Sequence, residues 1–176
     1  MIYLFKPLPS NDMDFSKWKP YIKNAWFLKH FMKFSLGLQV LLVLISIVLG
    51  VWNFANWVIR IIIFIAVLII HELLHILVVY KIGDVGVTYS GTSLWISSNA
   101  IMSKNRYWLF IMLPLIVLTI IPGLLSLING FATEALKYIA WINAIIASSD
   151  IINSILIAIQ PSNAKFCKGY FITEDR

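Results

Sequence analysis

The chain has a single cysteine, Cys167, and few charges: only 12% of its 176 residues are Asp, Glu, Lys or Arg. A lone thiol makes no internal disulfide, so a disulfide scaffold is excluded. Soluble domains carry about 25% charged residues, and this chain has too little polar surface to clothe one. Disorder fails on the same ground, because it requires low hydrophobicity. No short apolar core followed by small residues opens the chain, so no cleaved signal peptide is expected. Internal repeats and low-complexity tracts are absent, and the length leaves little room for a second domain.

What is present is apolar. Hydrophobic residues make up 60% of the chain, and the mean hydropathy is +0.87. An integral membrane protein follows, with the lipid bilayer as its solvent. The net charge of +6 comes from 14 Lys+Arg against 8 Asp+Glu. These basic residues crowd the flanks of apolar runs, so they are read as topology signals and not as a nucleic-acid surface.

Four apolar runs, near 34–52, 57–80, 107–128 and 136–159, approach or exceed the ~20 residues a membrane helix needs. The fold class is therefore all-α integral membrane, with about four transmembrane helices. The short link 53–56 predicts that the first two spans form a tight antiparallel pair. Pro114 and Pro122-Gly123 should kink the third span, and Pro161 ends the fourth. Residues 1–35 form a basic, aromatic interfacial arm, 36–160 the membrane domain and 161–176 a tail. Within 83–103, Val85, Val87 and Tyr89 alternate before the turn Ser90-Gly91-Thr92-Ser93, and Leu94 and Ile96 alternate after it. This segment reads as a small β-hairpin at the cytoplasmic face.

Six lysines in the arm, then Lys81, Lys104 and Arg106, then Lys165, Lys168 and Arg176, fall on one side. Arg60 and Lys137 fall on the other. By the positive-inside rule both termini are cytoplasmic, in a protein of the cell membrane.

The second span contains His71-Glu72-Leu73-Leu74-His75. Histidines at i and i+4 lie one above the other on a helix face and can hold one metal ion. The intervening glutamate can reach water beside the metal and act as general base. With 3 histidines and as many glutamates, the motif arises by chance about once in a thousand. The bland alternative, polar residues that only pack helices, must explain a charged group in mid-membrane, where such groups are expensive and usually functional.

A zinc site requires a third protein ligand. Of the 8 acidic residues, only Glu72 and Asp150 lie well inside apolar runs. His71 is 14 residues from the outer end of its run, and Asp150 is 14 from the outer end of its own. Both should then sit about 21 Å below the outer surface, or about 9 Å from the cytoplasmic side of a ~30 Å hydrocarbon core. His30 precedes the first span and Cys167 follows Pro161, so both are weaker candidates. Asn143, two helical turns before Asp150, is a candidate donor to a developing oxyanion. Ser148, Ser149 and Ser154 are read as packing residues, since small polar side chains help membrane helices associate.

The His71–His75 motif, with an aspartate in a later polar span, resembles the site-2 protease superfamily of intramembrane zinc metalloproteases. A closer resemblance is to a family of small bacterial membrane proteins described as zincin peptidases. It is carried by His71 to His75, by Pro114 in the next span, and by Ser148-Ser149-Asp150 after Asn143, and it covers roughly 57–161. The chain departs from the usual Asn-x-x-Pro run leading to Asp-Gly: no such proline follows Asn143, and Ile151 follows Asp150.

The resemblance implies peptide-bond hydrolysis. Zn²⁺ would be held by His71, His75 and Asp150, and Glu72 would act as base. The substrate would be a membrane protein or membrane-inserted peptide, locally extended and cut near the cytoplasmic side. The 83–103 hairpin could hold such a segment as an added strand, or could simply link two spans. Two other classes fit the same residues: a metal-binding membrane protein without proteolysis, such as a sensor or transport subunit, and an interaction or immunity-type protein with a vestigial motif.

Overall fold

The computed structural model describes residues 1–6, 8, 14–90, 93–128 and 133–173. Three helical stretches of 24, 23 and 22 residues, Ala25–Val48 (α1), Trp57–Val79 (α2) and Lys104–Leu125, are long and apolar enough to cross a membrane. A fourth span results if the pair Thr133–Ile146 (α5) and Ser148–Ala158 (α6), bent by 65° at Ala147, is counted as one. The third stretch comprises α3 (Lys104–Leu115), a π-helical turn over Ile116–Ile120, and α4 (Ile121–Leu125).

The helix starts follow from capping. Asn24 Oδ1 accepts from the Phe27 N–H, and Asn56 Oδ1 from the Ile59 N–H, each at 3.0 Å. Each occupies an otherwise orphaned donor of the first turn. The first helix thus begins nine residues before the apolar run and takes in part of the basic arm. It ends before Gly50, whose φ of 68° is left-handed. Lys104 Nζ donates to the carbonyls of Ala158 and Gln160, at 2.7 and 2.5 Å, and Arg106 donates to Val78 O at 3.1 Å. Two of the residues read from the sequence as topology signals therefore also close helix C-termini, where cations are favoured.

The expected tight pairing of the first two helices is not what forms. α1 packs on α5 and α6, while α2 packs on α3 and α5. The small residues Ala140, Ala144 and Ala147 are buried in and just after α5, which lets that helix approach both. α2 shows the pattern most clearly. It buries Val67, His71, His75 and Val79, and it exposes Ile62, Ile69, Leu73 and Leu77. An apolar shell around a polar centre is the arrangement that hydrocarbon surroundings favour.

The helical bundle carries more strand than expected. Strands β3 (Val85–Ser90) and β4 (Ser93–Ser98) form the anticipated hairpin, of whose turn Gly91 and Thr92 lie outside the described residues. A third strand, β1 (Ile2–Leu4), joins it in parallel, giving the order β1-β3-β4. A second sheet, in the order β2-β7-β6-β5, combines β2 (Lys19–Pro20), β5 (Met102–Ser103), β6 (Ala164–Cys167) and β7 (Tyr170–Thr173). Arm, hairpin and tail are thus joined through two sheets, so the mostly helical fold carries a second sheet beyond the single hairpin expected of an all-α chain. The reason is length: strands of two to four residues are too short to show alternation, and the partners of β1, β2 and β5 are distant in sequence. The turn between β6 and β7 is Lys168-Gly169, with φ of 46° and 82°, the two left-handed residues of a tight hairpin.

Candidate metal centre

His71 and His75 lie one turn apart on α2, and Asp150 lies in the first turn of α6. His71 Nε2 is 3.1 Å and His75 Nε2 3.5 Å from Asp150 Oδ2. The two Nε2 atoms are 3.2 Å apart. The break at Ala147 sets this up. It starts a new helix at Ser148 and turns the chain by 65°, bringing Asp150 in front of α2.

The other ring nitrogens fix the tautomers. His75 Nδ1 faces the Phe110 carbonyl at 2.6 Å, and His71 Nδ1 faces Asn143 Oδ1 at 2.8 Å. Asn143 is oriented in turn, because its Nδ2 donates to Pro114 O at 3.1 Å and to Thr119 Oγ1 at 2.9 Å. A carbonyl only accepts, so each Nδ1 carries the proton and each Nε2 presents a lone pair. Two imidazole lone pairs and a carboxylate oxygen therefore converge on one point, an arrangement that a cation resolves. The three separations average near the ~3.3 Å edge of a tetrahedron with bonds of about 2.0–2.1 Å, the geometry of a zinc ion with nitrogen and oxygen ligands. The donor set fits zinc.

Glu72 has no hydrogen-bond partner among the described residues. With Asp150 it lines a cavity of about 1160 Å³. One wall is formed by Met32, Leu36 and Gln39 of α1 together with Phe64 and Leu68 of α2, so the space between these helices is part of it. Ile96–Ser98 of β4 and the Lys168-Gly169 turn line it from the sheets.

The remaining candidates separate. His30 is bonded locally, Nδ1 to Trp26 O at 2.7 Å, and Cys167 is buried against Asn99 O. Among the described residues, the group whose ligand atoms converge is His71, His75 and Asp150. Asn143 is wholly buried. Both its amide protons and its oxygen are engaged, so it stands behind His71 and offers no free donor to the cavity. Ser148 bonds Ser35 of α1 across 3.2 Å, a contact between helices, whereas Ser154 bonds Ile151 O within α6.

Sequence reasoning missed three groups. Phe110 acts through its backbone, which no side chain advertises. Thr119 braces Asn143. Tyr21, in the arm, lines the cavity, and its hydroxyl donates to Asn153 Oδ1 at 3.0 Å. Burial first, and then the negative charge of Asp150, push the Tyr21 phenol up to about 12, so it stays a hydrogen-bond donor.

Residues 64–165 match the family described as "Putative zincin peptidase". The chain belongs to that family. The matched segment holds both histidines, Glu72, Pro114, Asn143 and Asp150, so the zinc that the family implies falls on the convergent donor set. No curated protein and no solved structure matches the chain.

Proposed function

We propose that the protein is an intramembrane zinc metalloprotease of the site-2 type, hydrolysing a peptide bond in a membrane-embedded substrate near the cytoplasmic side of the cell membrane. One observation carries this reading: three convergent ligand atoms beside an unpartnered glutamate, Glu72, in a cavity set among apolar helices.

When bound, zinc supplies Lewis acidity and lowers the pKa of water to about 7. His71, His75 and Asp150 hold it, while Phe110 O and Asn143 fix the imidazole rings. Glu72 takes the proton from the attacking water as the hydroxyl oxygen bonds the carbonyl carbon. It then delivers that proton to the amine nitrogen as the C–N bond breaks.

A substrate helix hides its peptide bonds, so the cleaved segment must be extended. β4 is an outer strand of its sheet, and its Ile96–Ser98 stretch lines the cavity. An extended substrate segment adds to that edge by main-chain hydrogen bonds. The gap between α1 and α2 gives a membrane-inserted peptide a lateral way in. In this reading both termini lie in the cytoplasm, on the side where the positive-inside rule puts the basic residues.

The test is zinc content together with the abundance of cleaved membrane proteins in cells, for the wild type and Glu72→Gln. Zinc in both with cleavage in the wild type alone supports the protease. Zinc in both with cleavage in neither leaves a metal-binding protein.

A further inference from the structure

Asn153 lies three residues after Asp150 on α6, a spacing that puts both on neighbouring positions of one helix face. Its side chain lines the same cavity as Glu72. Its oxygen is taken by the Tyr21 hydroxyl, 3.0 Å away. Its Nδ2 has no partner among the described residues, and no buried side-chain nitrogen or oxygen is left without one. Nδ2 is therefore not sealed in protein, and the cavity that the Asn153 side chain lines is the space open to it.

Tyr21 is itself fixed from two sides. Its N–H donates to Gly169 O at 3.3 Å, and its carbonyl accepts from Gln160 Nε2 at 3.3 Å. These bonds hold the Tyr21 backbone between the β6–β7 turn and the end of α6, and its side chain packs against the buried cluster that includes Phe110, Ile157 and Phe166. A phenol on the carboxamide oxygen holds the amide plane and keeps the nitrogen pointing away. Asn143, by contrast, has no proton left to give.

We infer that the Tyr21–Asn153 pair is a peptide-binding element of the cavity: Asn153 Nδ2 donates to a backbone carbonyl of an extended substrate one helical turn from the metal ligands. Tyr21 is the positioning residue. The inference rests on the protease reading, since it needs a peptide in the cavity. It gives that reading a polar anchor that is neither ligand nor base, and it assigns a role to the N-terminal arm: holding the substrate carbonyl in register with the centre.

The experiment uses the full chain, zinc-loaded, in detergent micelles, with two probes that grip zinc through the same group. Acetohydroxamate has no peptide; acetyl-leucyl-leucyl hydroxamate adds peptide units. Calorimetric titration gives the ratio of the two affinities. The wild type should prefer the peptidyl probe. Asn153→Ala and Tyr21→Phe should each cut that preference about fivefold to tenfold, the worth of one hydrogen bond, with zinc content and acetohydroxamate affinity unchanged. A structural tie alone would not move the ratio while sparing the small probe. Tyr21→Phe removes a single oxygen and decides the matter if Asn153→Ala fails to load zinc. A ratio unchanged in Tyr21→Phe overturns the inference, and so does a wild type that binds both probes equally, although either result leaves the protease reading standing. A wild type that loads no zinc and binds neither probe overturns both.

Discussion

His75 Nδ1 donates to the carbonyl of Phe110 across 2.6 Å, and that carbonyl is free because the residue four later is a proline. Pro114 has no N–H to return to Phe110. The helix thus spends a missing backbone bond on a metal-ligand candidate. The π-helical turn at Ile116–Ile120 follows directly and brings Thr119 to within 2.9 Å of Asn143. One proline therefore serves both histidines: His75 through the carbonyl it frees, and His71 through its own carbonyl, which accepts from Asn143.

Pro114→Ala should restore a helical N–H that competes for Phe110 O. The expected result is folded protein whose zinc affinity is about tenfold weaker, at the lower end of what loss of an orienting partner costs a metal site. Competition against a chelator of known affinity measures it. Unchanged affinity would mean that the Phe110 carbonyl does not orient His75.

Asn143→Leu fills the same space but offers His71 no acceptor. Zinc affinity should fall by about 10- to 100-fold. Asn143→Asp keeps an acceptor at that position and should retain more affinity than the leucine variant. Equal loss in both would remove the orienting role and leave only the cost of disturbing a buried site.

Asp150→Ala removes the one ligand that comes from outside α2. Wild-type protein should carry about one zinc per chain, and the variant should lose it on dialysis, because two histidines leave an incomplete site. His30→Ala and Cys167→Ala should keep full occupancy. Zinc retained in Asp150→Ala and lost in either of the others would move the third ligand elsewhere.

The membrane arrangement has its own test. Cysteine labelling at Glu134 and at Lys168 should report opposite sides, with Lys168 cytoplasmic. Both on one side would mean that the bent pair α5–α6 re-enters and does not cross.

The residues whose ligand atoms converge were legible because each is conspicuous against its background: an HExxH pattern in one apolar run, and in another a lone carboxylate, Asp150. The expected common depth assumed a straight fourth span. The helix instead breaks at Ala147 and bends by 65°, yet Asp150 still reaches His71, since the break aims the carboxylate that a straight helix would only have levelled. The capping lysine and arginine were visible as charges but not as partners of helix-end carbonyls. The second sheet was invisible for a physical reason. Lys19–Pro20 and Met102–Ser103 are strands only because β7 and β6 lie beside them, and no local pattern encodes pairings as distant as Lys19 with Phe171 or Met102 with Phe166.

The general base is the most discriminating claim. Glu72 sits one residue after His71, lines the cavity and has no hydrogen-bond partner among the described residues, so its replacement by Gln breaks no hydrogen bond of the fold. Glu72→Gln keeps its size and hydrogen-bonding reach but cannot accept a proton at neutral pH. The variant should therefore fold, hold about one zinc per chain and keep the wild-type affinity for acetohydroxamate to within a few-fold, while hydrolysis falls by about 10²- to 10⁴-fold. In cells it should accumulate the uncut membrane substrate, identified as the protein whose full-length form rises in the variant and whose fragments vanish. Wild-type turnover by Glu72→Gln would end the protease mechanism, since among the described residues the one other carboxylate lining the cavity is Asp150, already committed to the two histidines at 3.1 and 3.5 Å.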